Sequence, residues 1–429
     1  MSSDLASRVL PGWLDPAVAF TAVIGDAVDA FWLDAGPGAS EGWSWVGTGI
    51  PTAPPRDVAL GGMTDADAGP FRGGWVGWSA YDAAARRAGA PAADDGGPAD
   101  AWLRVDRMLG FDHAAKRMIA FAADDDLDGL AAAVALAITA ERTSTPADPP
   151  AVAVSARHDP DTYARLIEQC RDEIREGRAY QLCLTTRFET AASVDPVDTY
   201  LRLRTATPAH HGGLIRSGGR ALLSASPEQF LSVADGIVRT RPIKGTRPRA
   251  ADAGQDAALA AALRGSEKEQ AENVMIVDLM RNDLQRVCEP GSVAAERLLE
   301  VESYPAVHQL VSTVAGRLRP RTTVGELWDA AFPAGSMTGA PKLSAMQILH
   351  RLEGAPRGVF AGCFGWIGSD GGLDLAMVIR SIVIHPAGAY VGAGGGITWG
   401  SVAADEVAEV GIKARAPLRA LGAELPPGW

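Results

Sequence analysis

Between Thr143 and Pro150 the chain reads Thr-Ser-Thr-Pro-Ala-Asp-Pro-Pro. Proline has no backbone donor and turns the residue before it away from helical geometry, so neither a helix nor an interior strand runs through such a segment. The segment therefore divides the sequence into residues 1–142, a linker at 143–151 and a second domain at 152–422. With 429 residues, 47% of them hydrophobic, both parts can bury a core.

The first part carries short apolar runs at Phe31 to Asp34, Trp43 to Val46 and Gly73 to Trp78, cut by glycine and proline. These predict strands joined by loops. Ala83 to Ala101, biased to Ala, Gly, Asp and Pro, reads as a mobile loop, and Asp124 to Asp126 open a predicted helix over 127–141. Past the linker, Asp159-Pro160 starts a helix in which Tyr163, Leu166, Ile167, Cys170 and Ile174 recur at helical spacing until Gly177. A strand follows at 180–185. Its period of two puts Gln181, Cys183 and Thr185 on one face and Leu182 and Leu184 on the other.

Charge narrows the function. A net charge of -12 argues against binding to nucleic acid or anionic membrane, so an anionic substrate would need a local basic pocket. Cys170, Cys183, Cys288 and Cys363 are far apart, which suggests neither a zinc site nor a disulfide framework. No stretch has the pattern of a signal peptide or the length of a membrane span, and a cytoplasmic location is expected. Only five lysines occur against 35 arginines (40 Lys+Arg less 5), so Lys244 in Arg-Pro-Ile-Lys-Gly-Thr-Arg-Pro-Arg looks chosen for its amine. It reads either as an exposed loop lysine or as a nucleophile whose pKa Arg241 and Arg247 would lower.

Two pairs of carboxylates stand out. Ser266 and Glu269 have capping-box spacing, predicting a helix from Ser266 to about Leu284, and Glu272 lies one turn on with Ile276 and Leu279. Glu406, Glu409 and Lys413 repeat the device on a second predicted helix. The pairs are either solvated faces or, brought together, donors to a hard divalent cation. Gly335 to Lys342 (GSMTGAPK) is one residue short of a nucleotide-binding loop and has proline before its lysine. Gly392 to Gly396 could let backbone amides approach an anion, or form an ordinary turn. His308 reads as an acid–base group or a hydrogen-bonded core residue. Arg380, inside the apolar run 377–381, must find either a protein carboxylate or a ligand anion.

Six ordered blocks carry a resemblance: SPEQF (226–230), PIKGTRPR (242–249), EKEQAENVMIVDLMRNDLQRVC (267–288), VESYPAVHQLVSTV (301–314), GSMTGAPK (335–342) and VIRSIVI (378–384). Together they resemble the chorismate-utilising enzymes, most closely the large subunits of aminodeoxychorismate synthases. The resemblance implies an α+β (α/β) fold like that of anthranilate synthase component I, with two large mainly antiparallel sheets in a sandwich and helices packed outside. It implies magnesium-dependent attack on chorismate, a ring with two carboxylates. Glu272 and Glu409 match the family's magnesium ligands, supported by Glu269 and Glu406. Arg380, Lys413 and the amides of Gly394, Gly395 and Gly396 would hold the carboxylates. Glu228 matches the general acid that protonates the departing hydroxyl. Gly245, Thr246, Thr338 and His308 would line the ring pocket, His308 among the catalytic groups.

Lys244 separates reactions within the family, because anthranilate synthases carry alanine there. The implied mechanism has Lys244 attack carbon 2 as the carbon 4 hydroxyl leaves, after which ammonia attacks carbon 4 and expels the lysine. Gln181 stands where isochorismate and salicylate synthases carry a water-activating lysine. No cysteine sits in a Gly-x-Cys-x-Gly glutaminase setting, so the implied ammonia donor is a small glutamine amidotransferase subunit, and the product would lead to p-aminobenzoate and folate. The rival readings are an anthranilate or 2-amino-2-deoxyisochorismate synthase component I and, from another class, a noncatalytic chorismate-binding scaffold subunit. Three departures stand against the pattern. Trp366 replaces a substrate-touching tyrosine, Thr398 to Ser401 replaces Val-Ala-Asp-Ser with Ala408 nearby, and Phe31 to Asp34 replaces the Leu-Leu-Glu-Ser element of tryptophan feedback.

Overall fold

The structure, a computed structural model, describes residues 5–62, 69–140, 144–304 and 307–429. Thr143 of the linker, Glu141 of the predicted 127–141 helix, and Pro305 and Ala306 of the 301–314 block lie outside them. The α+β class stands as the sequence implied. Among the described residues twenty strands, paired antiparallel throughout, form one continuous hydrogen-bonded network with the helices packed against it, so what the resemblance implies as two sheets is connected through shared pairings.

Alternation along the strands accounts for the two cores. In the strand Ala30–Asp34, Phe31 and Leu33 enter one apolar cluster with Trp45, Trp78 and Trp102, whereas Ala30 and Trp32 enter another with Phe20, Tyr163 and Tyr200. A period of two thus sends neighbouring side chains to opposite faces that are both covered. Gln181–Thr190 behaves the same way: Leu182 and Leu184 fill the second core while Cys183 joins the first. The strands also pair across the linker, Ala30–Asp34 with His211–Ser217 and Gly74–Ser79 with Cys363–Gly368. The sheet is therefore continuous between the residues before and after the proline-rich segment.

Helix starts follow their caps. Asp159 accepts from the Thr162 amide at 2.6 Å to begin Pro160–Arg175, whereas Leu127–Thr139 follows the three aspartates without a capping hydrogen bond from Asp126. The segment 83–101 matches the expected loop only between residues 88 and 99. Tyr81–Arg87 is helical, Asp100 begins a strand, and between them Asp95 is tied to Arg187 at 3.0 Å. Alanine and arginine are strong helix formers, and the composition bias hid them. Among the described residues no helix is long and apolar enough to cross a membrane.

Candidate active site

One floor and two helices bring the distant blocks together. The floor is the antiparallel pair Gln181–Thr190 and Gly388–Ile397, in which Gly394, Gly395 and Gly396 lie opposite Thr185, Leu184 and Cys183. The helices are Glu267–Gln285 and Ala403–Leu421. Ser266 caps the first by accepting from the Glu269 amide at 3.4 Å, while the Glu269 carboxylate turns instead towards Arg247, 3.8 Å away. That turn requires Gly245, whose φ is +80° and where a Cβ would stand 3.0 Å from the Glu269 carboxyl carbon.

Lys244 lies at the centre. Its Nζ is 3.4 Å from Glu272 Oε2, and a Cβ on Gly396 would come within 3.0 Å of it and within 2.6 Å of Gln181 Nε2. Glycine at 396 is what leaves this space open. Gln181 is fully buried, and among the described residues neither its amide nitrogen nor its oxygen has a hydrogen-bond partner, so both are available to a ligand. The environment of the amine corrects the sequence reading. Burial lowers the affinity of Lys244 for its proton, but Glu272 and then Cys183 and Glu228 outweigh burial and raise its pKa. Arg241 and Arg247 do not press on the amine as expected, because Arg241 is paired with Glu302 and Arg247 faces Glu269.

Carboxylates of the two helices meet at Lys268. Lys268 is 4.0 Å from Glu272 Oε1 and 3.5 Å from Glu406 Oε1, so one ammonium touches carboxylates of both helices. Burial, with the neighbouring carboxylates, raises the pKa of Glu269 and of Glu406. For Glu409 burial acts upward, but Lys413 at 2.7 Å outweighs it and the pKa falls. Lys413 also donates to the Gly394 carbonyl at 2.8 Å. Among the described residues no three metal-ligating side chains are already gathered as a preformed metal site. Magnesium needs only one or two carboxylates alongside water or substrate oxygens, and Glu272 and Glu406 already share a cation, so the donor set fits it.

Arg380 lies against the helix Ala403–Leu421. Among the described residues its guanidinium has no carboxylate within ion-pair distance; it donates weakly to the Lys413 carbonyl at 3.4 Å, and burial lowers its pKa against a distant Glu409. A partly buried charge left in that state favours a ligand anion. Glu228 is buried and accepts from Ser336 Oγ at 2.9 Å. Burial pushes its pKa from 4.5 up to about 7, against the pull of Ser336, Lys244 and Lys413.

Thr338 adjoins the floor, its carbonyl accepting from the Cys183 amide at 2.8 Å, and other predicted residues have partners of their own. Both ring nitrogens of buried His308 are engaged, Nδ1 with Ser303 at 2.8 Å and Nε2 with Asp256 at 3.0 Å, which suits a fixed wall more than a mobile proton carrier. Thr338 is buried and donates to the Ala334 carbonyl, while Thr246 is exposed beyond the bulge at Gly245. Trp366 stacks on Phe71 at 5.0 Å beside Trp45, in an aromatic cluster fed by the first part of the chain. Three contributors were not singled out in the sequence: Lys268, Ser336, and Ser401, which donates to Glu406 at 2.7 Å from within the divergent Thr398 to Ser401 segment. The GSMTGAPK block held the signal for Ser336, but its donor role depends on a partner 108 positions away.

The raised pKa of Glu228 predicts a stability effect with a defined sign. Between pH 4.5 and about 7 the folded protein keeps a proton that the unfolded chain has released, so stability falls as pH rises through that window. Glu228→Gln removes the buried charge. It is expected to gain about 2 to 3 kcal/mol over the parent at pH 8, an advantage that vanishes towards pH 4 in urea denaturation. An offset independent of pH would contradict the assignment of a titrating buried carboxyl.

The family model for chorismate binding enzymes matches residues 53–419. An aminodeoxychorismate synthase of Streptomyces pristinaespiralis is 43% identical over 82% of this chain, and the chain spans about half the length of that relative, 51%. Aminodeoxychorismate synthase component 1 of Klebsiella aerogenes is 39% identical over 79% of this chain and 75% of its own length. Among solved structures, anthranilate synthase component I from Streptococcus pneumoniae TIGR4 superposes with a TM-score of 0.74 at 28% identity, covering 97% of this chain and 92% of its own.

Proposed function

Because this chain belongs to the family of chorismate-binding enzymes, we propose that it converts chorismate and ammonia to 4-amino-4-deoxychorismate, as the large subunit of an aminodeoxychorismate synthase. The observation that carries this reading is Lys244, whose amine shares the site with Glu272, Gln181 and the gap at Gly396. In the proposed reaction the neutral Lys244 amine forms a bond to ring carbon 2. The ring double bond shifts, the bond from carbon 4 to its hydroxyl breaks, and that oxygen takes the Glu228 proton and leaves as water. Ammonia then bonds to carbon 4, the double bond returns, the bond from carbon 2 to Lys244 breaks to free the neutral amine, and the new ammonium at carbon 4 gives up a proton that restores Glu228. A carboxyl with a pKa near 7 is half protonated at neutral pH and suits the acid role.

Arg380, Lys413 and the strand of Gly394 to Gly396 would take the two substrate carboxylates. Glu272 and Glu409 would hold magnesium, with Glu269 and Glu406 beside them, and the bound cation would supply positive charge against a substrate carboxylate. Ammonia would come from a separate glutamine amidotransferase subunit in the cytoplasm, and the product would feed p-aminobenzoate and folate synthesis. Anthranilate synthesis is the second reading, favoured by the superposition on an anthranilate synthase component I. Lys244 opposes it.

The deciding experiment incubates the chain with chorismate, magnesium and ammonium at mildly alkaline pH and identifies products by liquid chromatography and mass spectrometry. Ammonium removes dependence on a partner. Aminodeoxychorismate without pyruvate is expected; anthranilate with pyruvate would overturn the reading in favour of its rival. Retained chorismate binding with no product would favour a noncatalytic scaffold.

A further inference from the structure

The GSMTGAPK block is too short for a phosphate loop, yet it is anchored more firmly than a passive turn requires. Gly335–Met337 is a single 3-10 turn. A Cβ on Gly335 would stand 2.6 Å from Leu279 Cδ2, so glycine lets the turn lie against the helix Glu267–Gln285. Buried Arg357 donates to the Met337 carbonyl at 2.6 Å, Thr338 Oγ1 to the Ala334 carbonyl at 3.1 Å, and Lys342 to Asp283 at 2.6 Å and the Ala331 carbonyl at 3.3 Å. All these bonds fix the backbone around one side chain, Ser336, whose hydroxyl is left to meet Glu228 Oε1 at 2.9 Å.

We propose that Ser336 is a positioning residue for the Glu228 acid, its hydroxyl holding Oε1 as an acceptor so that the acid proton is carried on Oε2. This rests on the reading of Glu228 as the general acid. A carboxyl accepting through one oxygen bears its proton on the other, so a fixed donor at Oε1 decides which oxygen delivers it. The same donor favours the ionised form and so limits how far burial raises the pKa. The charged groups facing Glu228 are Lys244, from the strand Ile243–Pro248, and Lys413, from the helix Ala403–Leu421. Both act in the same direction as Ser336, so the hydroxyl is a third, uncharged means of control.

The test is the pH profile of turnover at fixed free ammonia and saturating magnesium for the parent, Ser336→Ala, Ser336→Cys and Glu228→Gln. Ser336→Ala is expected to move the alkaline limb up by about one pH unit, a roughly tenfold change in the carboxyl's ionisation constant, and to lower the plateau by about tenfold. Ser336→Cys, with a weaker donor, is expected to give a smaller shift, and it alone carries the test if Ser336→Ala does not fold. A lowered plateau with the limb in its parental place overturns the proposal and leaves Ser336 a structural residue. An alkaline limb that persists in Glu228→Gln overturns the acid assignment itself, a failure distinct from that of the serine.

Discussion

Lys244→Ala is expected to cut formation of the 4-amino product by roughly a thousandfold or more while leaving chorismate binding measurable. The size of the effect follows from losing the group that would form the first bond. The geometry also allows a weaker role, because Lys244 lies 3.4 Å from Glu272 and could act only as its counter-ion. Lys244→Arg separates the two. It keeps the positive charge but removes the nucleophile, so it should be as inactive as the alanine variant if the amine bonds to the ring, and largely active if charge alone matters. The raised pKa of the amine adds a second expectation. Since Glu272 and its neighbours hold the proton on Lys244, the nucleophile must be released from it before attack, and the acid limb of the rate should reflect that release. Mass spectrometry of protein mixed with chorismate and magnesium without ammonia should show the mass of chorismate less one water on the peptide containing Lys244. No adduct together with an active arginine variant would remove Lys244 from the mechanism.

How much of this was legible in sequence depends on the distance over which each interaction acts. Glu406, Glu409 and Lys413 could be read directly, because helical spacing is local and the ion pair forms between residues four apart. The meeting of Lys268 with Glu406 spans 138 positions, and that of Ser336 with Glu228 spans 108, so no periodicity encodes either. The amine's environment was misread for the same reason. Arg241 and Arg247 are neighbours in sequence, but Glu302 and Glu269, which engage them, arrive through tertiary structure. Ser266 was read as half of a reciprocal cap, and its own half forms, whereas the Glu269 side chain is drawn into the site by Arg247. The strand faces at Leu182 and Cys183 were legible because alternation survives burial on both sides. Trp366 carries a functional expectation from the resemblance, and its surroundings are Phe71 and Trp45, contributed from the first part of the chain, which no local pattern could announce.

Charge balance leads to the second large effect, on the glutamates. Glu228, Glu269, Glu272, Glu406 and Glu409 are matched in number by Lys244, Arg247, Lys268, Arg380 and Lys413, so the site is close to neutral before a substrate with two carboxylates arrives. A dianion entering a largely buried neutral site needs two further positive charges, and one divalent cation supplies them. Chorismate and magnesium should therefore bind cooperatively. Titration calorimetry in magnesium and in chelator is expected to show chorismate affinity roughly 10- to 100-fold higher with the metal, with the reciprocal gain for magnesium in the presence of chorismate. Glu272→Gln should erase most of that coupling and lower turnover by about a thousandfold, since it removes a proposed ligand and also strands the Lys244 ammonium without its nearest carboxylate. The two losses differ in a measurable way. Removing a ligand weakens metal affinity, whereas losing the counter-ion alone would shift the acid limb of the Lys244 profile to lower pH without touching metal binding. Chorismate affinity that is equal in magnesium and in chelator would mean that Arg380 and Lys413 suffice for both carboxylates, and that the four glutamates serve the lysines rather than a cation.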